Sequence, residues 1–246
     1  MKKILAIGNS FSEDATYYLH SIGEAAGVEN MVVNLYIGGC PLETHWRNIE
    51  GNHRAYQYQI NGKKTDRYVS IQDMLDMEEW DAIVTHQASH DSGWIDSYEP
   101  FLGLICAYLK EKAPKAELFL NETWAYETDS THDRFIRYNR NQEEMYCRLK
   151  HAYETMAAKY ELPLIPSGDL IQKLRASESF ANGKRSICRD GFHMSFMDGR
   201  YAVAAMWAKH LFHVRVKGNP YVPVTENLPG AEADPEILNL IQDLIG

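Results

Sequence analysis

The sequence predicts a three-layer α/β/α sandwich on a mostly parallel five-stranded sheet. Three observations carry that expectation. Short apolar or β-branched runs alternate with segments of helical periodicity, each run ends in glycine or polar residues, and 45% apolar residues among 246 suffice for a substantial buried core.

Taken in order, residues 2–7 form a short apolar run that stops at Gly8, the first strand. Residues 13–27 follow with Ala15, Tyr18, Leu19, Ile22 and Ala26 at helical spacing. Residues 31–37 are β-branched and apolar and end in Gly38-Gly39, and residues 81–85 are a third strand ending at His86-Gln87. A helix over 98–112 stops before Pro114, a fourth strand spans 116–120, and a long helix spans 141–160. The fifth strand, 162–165, is short. Helices over 168–176 and 198–212 complete the pattern, the last one carrying Tyr201, Ala204, Ala205, Ala208 and Leu211.

An insertion at about 41–80 breaks this rhythm, and within it 56–60 and 67–71 flank Asn61-Gly62, a turn dipeptide that predicts a hairpin after the second strand. The tail, 217–246, holds four prolines and an amphipathic stretch at 235–245 that is expected to pack on the body. With no internal repeat and no low-complexity linker, 1–246 reads as a single domain.

The 25 basic and 34 acidic residues leave a formal charge of -9, which gives no electrostatic reason for a nucleic-acid or anionic-membrane partner. The apolar run Ile4-Leu5-Ala6-Ile7 is too short for a signal-peptide core, and no run approaches the roughly 18 residues of a membrane span. A cytoplasmic location is the expectation for the chain as given, while a trimmed leader, and export with it, stays open. Oligomeric state is not legible. Cys40, Cys106, Cys147 and Cys188 form no close pair, so reduced thiols in or near the core are expected rather than a zinc ribbon or a disulfide scaffold.

In open parallel sheets ligands bind beyond the carboxyl ends of the strands. Those ends read Gly8-Asn9-Ser10-Phe11-Ser12, Gly38-Gly39-Cys40, His86-Gln87-Ala88-Ser89-His90 and Asn121-Glu122-Thr123-Trp124. Ser10 and Ser12 both suit helix capping, Ser10 through a box with Glu13 and Ser12 ahead of an acidic first turn. Asp190-Gly191-Phe192-His193, just before the last helix, suggests other work. An aspartate three residues before a histidine can fix the imidazole tautomer, so that the free nitrogen deprotonates a serine. His86 and His90 have the spacing of a zinc helix, but Gln87 stands where metalloproteases carry glutamate, and neither metal nor cofactor is expected.

With these blocks the sequence resembles the SGNH (GDSL-like) hydrolases, especially bacterial members whose first block reads Gly-Asn-Ser-Phe-Ser. The resemblance touches Gly8 to Ser12, Gly38 to Cys40, His86 to Gly93 and Asp190 to Ser195, and its first and last blocks are the specific ones. It implies a flavodoxin-like topology, a catalytic triad of Ser10, Asp190 and His193, and an oxyanion hole from the amides of Ser10 and Gly39. The family's third block is Gly-x-Asn-Asp, from which this chain departs. Gln87 is the candidate to replace the asparagine as a donor, and a glutamine bonded to nearby backbone is the alternative.

The implied activity is hydrolysis of a small ester, an acetyl or other short acyl group, on an alcohol such as a sugar. Trp46, Trp94 and Trp124 are candidates for an aromatic wall against that substrate. Two alternatives stand beside this reading: a lipase or thioesterase acting on longer chains, and a catalytically silent carbohydrate-binding protein on the same scaffold.

Overall fold

The computed structural model describes residues 1–246, the side chain of Asn182 excepted. Seven strands form one sheet: β1 (Lys2–Gly8), β2 (Asn30–Tyr36), β3 (Tyr56–Ile60), β4 (Lys63–Val69), β5 (Ala82–Thr85), β6 (Glu117–Asn121) and β7 (Leu164–Ile165). Their order is β4-β3-β2-β1-β5-β6-β7. β2, β1, β5, β6 and β7 run parallel in the expected flavodoxin-like order. β1 lies at the centre because Ile4, Leu5, Ala6 and Ile7 are apolar toward both faces, and all four are fully buried. Each large aliphatic among them contributes about 1.5–3 kcal/mol.

The sheet departs from the expected five strands because the hairpin does not stand apart. β3 pairs antiparallel with β2, and β4 with β3, which makes the sheet mixed and seven-stranded. β4 also begins four residues before the expected 67–71. Asn61 and Gly62 both have positive φ, 50° and 77°, the backbone of a two-residue turn, so Ile60 pairs directly with Lys63. Lys63, Lys64, Asp66 and Arg67 carry no apolar alternation to mark them as strand, since β4 is an edge with most of its side chains exposed. Residues 71–77 instead make a helix, with the N-cap Ser70 and Asp73 forming a reciprocal capping box.

Nine α-helices cover the sheet: α1 (Ser10–Thr16), α2 (Leu19–Ala25), α3 (Leu42–Glu50), α4 (Ile71–Met77), α5 (Phe101–Lys112), α6 (Gln142–Tyr160), α7 (Ser167–Ala176), α8 (Asp198–Phe212) and α9 (Pro235–Ile245). The expected single helix over 13–27 is two. Ser12 and Thr16 both turn their hydroxyls back on carbonyls, Ser12 on Asn9 and Thr16 on Ser12, at 2.8 Å each, a pattern that bends helices. α1, α2, α7 and α9 gather around α8 on one face, while α3, α4, α5 and α6 belong to the other. α8 is buried nearly all round, and Trp207 Nε1 donates to Asn121 Oδ1 at the end of β6. The tail returns to α8, where Gln242 Nε2 donates to Tyr201 Oη at 2.8 Å. All four cysteines are free, with Cys40, Cys106 and Cys188 buried and Cys147 exposed. Among the described residues no helix is long and apolar enough to cross a membrane.

Candidate active site

The carboxyl ends of β1, β2, β5 and β6 converge, and the chain turns sharply at the first of them. A side chain at Gly8 would place its Cβ 2.4 Å from His86 Nε2 and 2.5 Å from Ser12 Oγ, so only glycine fits. Neither serine caps α1. Asn9 does, its Oδ1 accepting from the Phe11 amide at 3.0 Å while Nδ2 donates to the Cys40 carbonyl at 3.1 Å. One asparagine thus starts the helix and ties the β1 turn to the loop after β2. Ser10 becomes the first helical residue and stays half-buried, and its amide is one of those with no intrahelical acceptor. Ser12 is fully buried and its hydroxyl is engaged by Asn9 O, which leaves Ser10 as the more accessible of the two serines.

On the far side, 187–195 doubles back as a small loop in which Cys188 bridges Met194 and Ser195 N donates to Ile187 O. Gly191 at its tip has φ +88°, and a Cβ there would meet the Ser130 backbone at 2.9 Å. Asp190 Oδ2 accepts from His193 Nδ1 at 2.7 Å, and Oδ1 accepts from the amides of His193 and Phe192 at 2.8 and 3.3 Å. Burial works against the Asp190 carboxylate, yet the hydrogen bonds from His193 and from these amides hold its pKa below the usual range. A carboxylate only accepts, so in the neutral ring the His193 proton lies on Nδ1 and the lone pair on Nε2.

Two contacts join this loop to the serine turn. Phe11, next to Ser10, stacks on Trp124 with centroids 4.0 Å apart and meets the His193 ring edge-on at 6.2 Å. Trp124 Nε1 in turn donates to Phe192 O at 2.7 Å. The second contact is Asp14, wholly buried on α1, which accepts from Arg189 Nη1 at 3.0 Å, Arg200 Nε at 2.8 Å and the Met194 amide at 2.8 Å. Asp14 thereby binds both strands of the histidine loop and α8 to the helix that Ser10 begins. In the sequence Asp14 reads only as part of the acidic turn that follows Ser12, and no local pattern marks partners so distant in the chain.

Gly39 is exposed with φ +61° and borders an open groove of 510 Å³, shared with His90, Thr131, His132, Asp133, Arg134 and Phe192. Gln87 is corrected. Its Oε1 accepts from the amides of Leu42 and Ala88 at 3.0 and 2.8 Å, and its Nε2 donates to Ser97 O and Oγ at 2.9 and 3.0 Å. Both amide protons are engaged in joining three loops, so none is left for an oxyanion.

The tryptophan wall is also corrected. Trp124 is fully buried beneath the serine turn, Trp46 sits on α3 against the core, and Trp94 is flanked by Arg137 and Arg148 at 4.6 and 5.4 Å from its ring. None of the three borders the groove, whose aromatic side is made by Phe192, His90 and His132. Among the described residues no group of three or more His, Cys, Asp or Glu could hold a metal ion.

Residues 3–234 match the family model described as a domain of unknown function, DUF4886. The chain belongs to this family. A DUF4886 family protein from Bacteroides uniformis, known from a crystal structure, shares 39% identity over 99% of this chain and 93% of its own, with a TM-score of 0.89. A candidate SGNH hydrolase from Slackia heliotrinireducens superposes with a TM-score of 0.56 at 22% identity, over 85% of this chain and 97% of its own. Axe2, an acetylxylan esterase from Geobacillus stearothermophilus, gives 0.55 at 12% identity, over 85% and 94%. This DUF4886 chain therefore has the fold of the SGNH hydrolases. No curated protein sequence matches it.

Proposed function

We propose that the protein is a serine ester hydrolase that removes a short acyl group, acetyl above all, from an alcohol. The observation that carries this reading is the Asp190–His193 pair, with Nδ1 held at 2.7 Å and Nε2 left basic, on a loop packed against the residue next to Ser10. Nε2 takes the Ser10 proton as Oγ attacks the ester carbonyl, and the amides of Ser10 and Gly39 receive the developing oxyanion. The imidazolium then protonates the departing alkoxide. In deacylation His193 takes a proton from water, whose oxygen attacks the acyl-serine and releases the carboxylic acid as the proton returns to Ser10. The SGNH fold, shared with an acetylxylan esterase, supports this class of reaction, and the groove beside the pair, open and lined by both polar and aromatic side chains, suits a small ester.

Hydrolysis of 4-nitrophenyl acetate beside longer-chain esters tests the reading. Ser10→Ala and His193→Ala should each lower turnover by about 10⁴-fold or more. Wild type should label at Ser10 with a fluorophosphonate and lose rate beyond about four acyl carbons. A folded wild type with no turnover and no labelling would favour a binding protein on this scaffold instead.

A further inference from the structure

The groove beside the Asp190–His193 pair contains an imidazole that the mechanism above does not use. His132 opens the short helical turn Asp133–Tyr138, and its Nδ1 accepts from the Arg134 amide at 3.1 Å. A ring nitrogen that accepts from a backbone amide carries no proton, so neutral His132 holds its proton on Nε2. The ring is half-buried and fixed on several sides: Tyr126 at 4.8 Å, Phe192 at 4.8 Å nearly perpendicular, and His90 at 6.3 Å nearly parallel. Burial, followed by the neighbouring His90, lowers its pKa, which keeps the ring neutral and a hydrogen-bond donor near pH 7.

Phe192 connects this ring to the reacting centre, since it touches His132 on one side and the His193 ring, at 4.2 Å, on the other. The space beneath Ser10 is filled by Phe11 stacked on Trp124, so the larger half of an ester has room on the groove side. There the walls are Phe192 and His90, while His132, Arg134, Thr131 and Asp133 supply donors and acceptors. An alkyl chain would pack on the aromatic walls but leave the polar groups without partners. A hydroxylated ring matches both surfaces, with C–H faces on the aromatic side and hydroxyls toward the polar rim.

We infer that His132 is a specificity-determining residue, donating from Nε2–H to an oxygen of a polyhydroxylated alcohol, so that the preferred substrates are acyl esters of sugars. The inference rests on the esterase reading and adds to it the nature of the leaving group. Substitution should therefore alter selectivity between alcohols and leave the chemistry at Ser10 intact.

The test compares kcat/KM for an O-acetylated methyl xyloside with that for 4-nitrophenyl acetate, in wild type, His132→Phe and His132→Gln, with a thermal melt on each. His132→Phe keeps the ring packing and removes the donor. It should lose about tenfold or more on the acetylated sugar, mainly through KM, and stay within about twofold on the nitrophenyl ester. His132→Gln, whose amide can both accept from Arg134 N and donate, should recover part of the loss. Equal losses on both esters in variants that melt like wild type would overturn the inference, as would no loss on either. A wild type inactive on both esters would remove the esterase reading and this inference together, whereas activity on both with unchanged selectivity in the variants removes the inference alone.

Discussion

Two histidine–aspartate pairs flank the groove that His90 and Phe192 line, and they differ in what else holds the carboxylate. Asp190 is bonded to His193 Nδ1 at 2.7 Å, its remaining bonds come from neutral backbone amides, and no cation contacts it among the described residues. Asp91 stands 3.4 Å from His90 Nε2, and its other oxygen is taken by the Arg137 guanidinium, which also reaches His90 O at 3.2 Å. Burial lowers the His90 pKa, and of the charges nearby Arg134 and Arg137 oppose the help from Asp91. The first carboxylate is free to stabilise an imidazolium, while the second is largely neutralised and serves as a clamp between loops. On the proposed reading, a His–Asp pair suits catalysis where no guanidinium competes with the imidazole for the acid.

That contrast can be broken or sharpened by substitution. Asp190→Asn should lower ester turnover by about 10³–10⁴-fold, because the imidazole loses its tautomer and its counter-charge. A variant retaining a tenth of wild-type turnover would end the distinction between the pairs. Asp14→Asn should follow, with turnover down by about a hundredfold as the histidine loop shifts from the serine helix. It leaves Arg189 and Arg200 facing a neutral amide, so a loss of about 3–5 kcal/mol in denaturant unfolding should accompany the kinetic effect. Unchanged stability would show that Asp14 does not tie the loop to α1. Asp91→Asn should change turnover by no more than about twofold, since its partly exposed pair adds little. A drop as large as that of Asp190→Asn, with an unaltered melting temperature, would make His90 a second base.

The parallel strands and the histidine loop were legible because both obey local rules. An apolar run ending at Gly8 reads as a buried strand, and Asp190 to His193 is a one-turn relationship within four residues. The hairpin's existence was legible from Asn61-Gly62, while its second strand was not, because edge residues such as Lys63 and Lys64 have no buried face to reveal them. The split between α1 and α2 escaped for a similar reason: Ser12 and Thr16 bend the helix through hydroxyl bonds that periodicity does not register. Gln87 could not be assigned from the chain alone, since its donors and acceptors meet Leu42 and Ser97, 45 and 10 residues away. Trp124 and Asp14 were misread alike. Their roles follow from partners brought by the last third of the chain, Phe192 for one and Arg189, Met194 and Arg200 for the other.

The burial of Asp14 bears on how the protein is made. The carboxylate lies near the start of the chain, and its guanidinium partners follow 175 and 186 residues later. During synthesis at about 5–20 residues per second, α1 therefore emerges many seconds before the groups that allow its acid to leave water. Until then burial of α1 is opposed by the hydration of a carboxylate that lacks these partners. Arrival of 189–200 removes that opposition in one step, by pairing the charge and bringing His193 to the same surface. A ribosome-bound chain shorter than this carries its candidate nucleophile without its candidate base, which only the last third of the chain supplies.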